Sequence, residues 1–178
     1  MLARLQTVDG RFIPADDPRV LAILLRDYVP VVEEDGWRLL RREPVSPVPS
    51  WTPLSSVDIE LGASIPVPER TNALVWTRME VVPTVLGRLR AFFYKAAEVR
   101  LVVDDGISAR RFRLLAPAAR GGFLVAPLLR DADDFRDLFD GSGSRLAKSL
   151  IVDVAPSARK YYRSKVAVEF AAAPPRGP

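Results

Sequence analysis

Two rhythms of apolar and polar positions alternate along the chain. Over residues 165–170, Val166, Val168 and Phe170 fall on one side, and Lys165, Ala167 and Glu169 on the other. That period of two is what a half-buried strand requires, one face in the core and one in water. Comparable runs are Val57 to Leu61, Ala73 to Val82, Glu98 to Val103, Arg110 to Leu115, Phe123 to Ala126 and Ser149 to Val154. Seven short strands broken by turn residues such as Asp104-Asp105-Gly106 predict a mainly β chain, an antiparallel β-sandwich of jelly-roll-like kind.

The helical period appears in three places. Asp17 is placed to cap a helix over Asp16 to Asp27, with Pro18 in its first turn and Val20, Leu21, Leu24 and Leu25 as its apolar stripe. Runs at Tyr28 to Glu33 and Trp37 to Arg42 then flank Asp35-Gly36, a hairpin signal because glycine accepts the positive φ of a tight turn. Further on, Thr84 to Tyr94 and Asp131 to Phe139 predict two short helices that close the ends of the sandwich. In the first, Val85, Leu89, Phe92 and Phe93 are apolar; in the second, Phe135, Leu138 and Phe139 turn inward. The organisation expected is a helix-hairpin lobe at 1–43, a Pro-rich linker at 44–56, the β domain at 57–173 and a disordered tail at 174–178. Gly141-Ser142-Gly143-Ser144 reads as a flexible loop.

Composition narrows the class. The 178 residues, 48% hydrophobic and 27% charged, suit a folded globular domain rather than a disordered or fibrous chain. No window reaches the roughly 18 uninterrupted apolar residues of a membrane helix, so the chain is expected to be soluble and to insert no span. The segment after Met1 lacks the pattern of a secretory signal. A net charge of +4 arises from 26 basic and 22 acidic residues, with 22 Arg against 4 Lys. Because acids alternate with bases along most of the chain, no nucleic-acid partner is expected.

With no His and no Cys, the usual general base, the common zinc ligands and the Ser-His and Cys-His pairs are missing. Carboxylates, lysines and tyrosines remain. The densest acids are Asp131, Asp133, Asp134, Asp137 and Asp140, weak candidates for a cation; without EF-hand spacing they read as helix capping. No cofactor is expected. Trp37, Trp51 and Trp76 could stack on sugar rings, with Arg113 or Asp153 hydrogen-bonding hydroxyls, although core packing is the commoner fate of a Trp. Tyr161-Tyr162-Arg163 is a second candidate surface, since adjacent tyrosines on a strand point to opposite faces. Trp76, Tyr162, Arg113 and Asp153 are thus the candidate ligand-binding residues.

Several stretches carry a resemblance: T-V-D-G-R-F-I-P-A-D-D-P-R-V-L-A-I-L-L-R-D-Y, then D-G-W-R-L-L-R-R, V-V-P-T-V-L-G-R-L-R-A-F-F-Y-K, R-R-F-R-L-L, G-G-F-L-V-A-P-L-L-R-D and K-Y-Y-R-S-K-V-A-V-E-F. Together they resemble the C-terminal soluble region of bacterial multi-spanning membrane proteins that are similar to glycosyltransferases using lipid-linked sugars. The resemblance implies membrane helices upstream, an extracytoplasmic (periplasmic) position, a jelly-roll carbohydrate-binding fold and no catalytic residue in this chain.

The expected function is therefore a non-catalytic accessory domain that holds a glycan, with cytoplasmic placement as the alternative. A second reading is an interaction or structural module docking on its own membrane region. A third is a hydrolase using two carboxylates about 5–10 Å apart.

Overall fold

The computed structural model describes residues 1–4, 9–43, 50–70, 73–140 and 146–174. The expected loop at 141–144, residues 44–49 of the expected linker and residues 175–178 of the expected tail lie outside them.

The chain begins with strand β1 (Leu2–Ala3), helices α1 (Ile13–Asp16) and α2 (Pro18–Asp27), and strands β2 (Tyr28–Glu34) and β3 (Trp37–Arg42). Asp17 caps α2 as expected, its carboxylate accepting from the Val20 amide at 3.3 Å. Asp35 and Gly36 both take positive φ, 50° and 75°, and close the β2–β3 hairpin. β3 lies between β1 and β2 in a small antiparallel sheet.

Eight further strands form two four-stranded sheets, antiparallel at every pairing. Strand β5 (Ser64–Pro66) pairs with β10 (Ser149–Val154), which pairs with β7 (Val99–Asp104), which pairs with β8 (Ala109–Leu114). The other sheet runs β4 (Thr52–Glu60), β11 (Lys165–Ala173), β6 (Leu74–Glu80) and β9 (Phe123–Ala126). Alternation builds the core: Val99, Leu101 and Val103 of β7, Leu150, Val152 and Val154 of β10, Met79 of β6, and Val166, Val168 and Phe170 of β11 share one buried cluster. The molecule is thus mainly β, with three antiparallel sheets.

The N-terminal segment is stitched into that body. Phe12, just before α1, is fully buried in the main cluster, 5.1 Å from the Phe112 ring and 5.7 Å from Phe123. Leu21 of α2 joins Leu124, Leu129 and Phe135 in a second cluster, on which Trp76 also packs.

Several elements depart from expectation. β4 starts at Thr52, inside the span 44–56 read as linker; it is an edge strand, where a missing N–H at Pro53 costs no ladder bond. Within the β domain, helix α4 (Ala116–Gly121) and a 3-10 helix at Pro156–Tyr161 add to the two helices expected there, α3 (Val85–Phe93) and α5 (Ala132–Asp140). Phe135 turns inward as read, while the Leu138 and Phe139 side chains lie outside the described residues. The clearest correction concerns α3, whose apolar side does not close the end of the sheets: Val85, Leu89, Phe92 and Phe93 are all exposed.

One irregularity matters for the site. Opposite β11, Ser55 pairs with Phe170 and Pro53 with Ala171, so Leu54 is an extra residue in β4. Such a bulge reverses the parity of the strand beyond it. Before it, Ser56, Asp58 and Glu60 stand beside the outward residues of β11; after it, Pro53 does.

Candidate functional site

The outward face of β4, β11 and β6 is built in rows. Ser56, Glu169 and Arg78 form one, and Pro53, Ala171 and Trp76 the next. Continuing the shifted parity, Trp51 comes to Trp76 with ring centroids 5.4 Å apart and planes tilted by 53°. Trp51 is 41% exposed and Trp76 half-buried. The two rings head a cleft of about 700 Å³ whose other walls include Ser55, Ser56, Arg78, Glu169 and, from α2, Ala22.

Trp76 is held from behind. Gly122 sits at φ +85° so close to the indole that a Cβ there would lie 2.2 Å from Nε1. Only a residue without a side chain fits, which fixes the ring plane from the backbone side. Arg78 and Glu169 stand across the cleft at 3.7 Å, both more than half exposed. Their pairing is loose and solvated, so either group can exchange its partner for a ligand's hydroxyls at small cost. The result is an aromatic wall beside a row of hydrogen-bond donors and acceptors, able to stack on a flat apolar face and to hydrogen-bond polar groups beside it.

The sequence candidates scatter. Trp76 lines this cleft. Tyr162 and Arg113 line another, of about 350 Å³, with Arg90, Lys95 and Glu98. Tyr162 is buried and donates its hydroxyl to the Ala97 carbonyl at 2.5 Å; burial raises its pKa above the usual phenol value. It ends the 3-10 helix rather than opening β11, so its role is packing. Asp153 on β10 lies 3.6 Å from Arg159, away from both clefts. Trp37 and Trp51, read as core residues, are exposed, because Trp37 sits on the small hairpin and Trp51 beyond the β4 bulge. Arg78 and Glu169 are what sequence reasoning missed; Trp51 was among the stacking candidates, but its meeting with Trp76 is legible only once the bulge is known.

The aspartates of α5 are engaged structurally. Asp131 accepts from the Asp134 amide at 3.1 Å. Asp134 and Asp105 bracket Arg130: Arg130 Nε donates to Asp134 at 2.9 Å and Nη1 to Asp105 at 2.7 Å, all three buried. Asp133 faces solvent beside Arg136. Among the described residues, no three acids converge as a metal cage.

A shallower depression of about 550 Å³ holds Asp58 and Glu80. Both are in register with Ala167, one on each side, which spaces the two backbones about 10 Å apart. Both side chains are exposed, and Glu80 pairs with Arg120 at 3.4 Å.

No family model matches the chain, and no curated protein or solved structure matches it. Among the described residues no helix is long and apolar enough to cross a membrane.

Proposed function

We propose that this chain is a non-catalytic carbohydrate-binding module that holds a glycan in the Trp51–Trp76 cleft. The observation that carries this is the indole pair at 5.4 Å, Trp51 exposed and Trp76 half-buried, set beside Arg78 and Glu169 on one sheet face. Trp51 and Trp76 supply the stacking surface, Arg78 and Glu169 the hydroxyl contacts, and Ser55 and Ser56 further hydroxyls along the rim. The two four-stranded sheets with a shared core are read as a β-sandwich of jelly-roll type, an architecture that often carries sugar sites on a sheet face. The chain is further proposed to serve as an accessory domain of a membrane glycosyltransferase-like protein on the extracytoplasmic side, positioning a glycan for chemistry performed elsewhere. In favour of a role without chemistry, the cleft holds one carboxylate, Glu169, and no nucleophile paired with a base.

The test is a glycan array followed by calorimetry on the purified chain, comparing it with Trp51→Ala. Trp51 is exposed, so its loss leaves folding intact, and saturable binding that disappears in that variant supports the reading. Absence of binding at millimolar sugar, or equal binding by Trp51→Ala, overturns it. The second reading, a module docked on its own membrane region, draws on a different surface, the apolar side of α3.

A further inference from the structure

Helix α3 is attached by its polar side. Thr84 caps it, accepting from the Gly87 amide at 3.2 Å, and donates its hydroxyl to the Lys160 carbonyl at 2.9 Å. Gly87 is buried against the Tyr161 backbone, where a Cβ would meet the carbonyl oxygen at 2.1 Å. Arg90 lies over the Tyr161 ring at 4.9 Å. Thr84, Gly87 and Arg90, three residues apart, thus form the stripe that faces the protein. The opposite side carries Val85, Leu86, Leu89, Phe92 and Phe93, followed by Tyr94; Val85 is 73% exposed, Phe92 82%, Phe93 78% and Tyr94 82%. Water selects the reverse arrangement. A helix pinned so that its aromatic residues stand outward presents a contiguous apolar surface of the kind that marks an interaction site.

The charge around this surface says what covers it. Residues 81–97 contain Arg88, Arg90 and Lys95 and no acid, although acids alternate with bases over most of the chain. Lys160 adjoins from the 3-10 helix, with its ammonium 5.3 Å from the Tyr161 ring. Arg113 lines the cleft beside the end of α3 together with Arg90 and Lys95. The one acid of that rim, Glu98, is paired with Arg100 at 2.8 Å. Among the described residues, none of these five cations has a carboxylate partner. An apolar helix face with Phe and Tyr at its C-terminal end and Arg and Lys around it is the pattern of a helix lying in the headgroup region of a bilayer. Aliphatic stems of Arg and Lys cover apolar surface while their charges reach phosphate. A partner of this surface must carry negative charge around an apolar contact, and an anionic bilayer supplies both over its whole area.

We propose that α3 is a peripheral membrane-docking element: its Val85-Leu86-Leu89-Phe92-Phe93 side lies in the interface of an anionic lipid bilayer, and Arg88, Lys95, Lys160 and Arg113 contact the lipid phosphates, while Arg90 holds the helix to the Tyr161 ring. This surface is separate from the Trp51–Trp76 cleft, and the docking stands whether or not a glycan binds there. Among the described residues no helix is long and apolar enough to cross the bilayer, so the docking is peripheral.

The experiment is cosedimentation of the purified chain with vesicles of phosphatidylcholine alone and of phosphatidylcholine with about a third phosphatidylglycerol. The anionic vesicles are expected to bind about tenfold more strongly or better, and the gain to fall at high salt as the phosphates are screened. Phe92→Ser/Phe93→Ser, whose side chains touch water and not the core, is expected to fold with unchanged melting temperature and to lose about tenfold or more in partitioning. A Phe93→Trp reporter should shift its emission to the blue on anionic vesicles. Equal binding to both vesicle types, undiminished binding by the double serine variant, or self-association through α3 in sedimentation velocity without vesicle binding each overturns the proposal.

Discussion

Arg130 and Asp105 are 25 positions apart in sequence and joined at 2.7 Å, both side chains almost wholly out of water. The contact ties the tip of the β7–β8 hairpin to the start of α5, because the same guanidinium also reaches Asp134. Asp105 does double duty, its other oxygen accepting from the Ile107 and Ser108 amides at 2.9 and 2.6 Å. Asp105→Ala removes both functions and strands a buried cation with one partner, for which a loss of about 3–5 kcal/mol is expected. Urea unfolding measures it. A loss below about 1 kcal/mol would mean that Arg130 reaches water, since exposed pairs are worth no more than that.

Acid should loosen the junction between the β2–β3 hairpin and α5. Glu33 of β2 accepts from Arg136 of α5 and from Arg38 at 2.7 Å, and these hydrogen bonds, Arg136 first, lower its pKa from 4.5 to about 2. Unfolded, the group protonates near its ordinary value; folded, it stays ionised further down. Its contribution is therefore complete above about pH 4.5 and lost as pH falls towards 2. A Glu33→Gln variant should show a flatter fall of melting temperature between those values, and an unchanged slope would remove Glu33 from the account of acid sensitivity.

At Gly122, alanine combines backbone strain with a clash against Trp76. A φ of +85° costs a side-chain-bearing residue about 1–3 kcal/mol, and the indole 2.2 Å away must also move. Gly122→Ala is expected to destabilise by at least that range, to change tryptophan emission and to weaken any glycan that stacks on Trp76. Native emission at full stability would contradict the tight seat described for the ring.

Replacing glycine by alanine inside a helix ordinarily stabilises by up to about 1 kcal/mol. Gly87→Ala should do the opposite, because the added methyl meets the Tyr161 carbonyl at 2.1 Å and α3 must lift away. A raised melting temperature would show that α3 is less firmly attached than its contacts indicate.

What could be read in advance followed burial on one side. β10 was legible to its ends, Ser149–Val154, because each of its core residues alternates with a half-buried one. The Asp35-Gly36 hairpin was legible because a tight turn has few chemical solutions. β4 was half hidden: an edge strand tolerates Pro53, and proline in sequence argues for a linker. The apolar stripe of α3 was plain, but periodicity reports that a helix has two sides and not which side meets the protein; Gly87 against Tyr161 decides that. Trp51 and Trp76 were both stacking candidates, but not as a pair, since the residues gathered around them come from β4, β6, β11 and α2 and share no local pattern.

The extra residue at Leu54 makes chain length, rather than side-chain identity, the variable that creates this cleft. Removing that one position would restore strict alternation to β4 and carry Trp51 to the reverse side of the sheet, erasing the indole pair without altering either tryptophan. A substitution scan of the strand would leave that dependence invisible. In such a strand a one-residue insertion or deletion acts as an on–off switch for a recognition surface, so a lineage can gain or lose this face in a single step while the pairing of β11 with β6 stays in place.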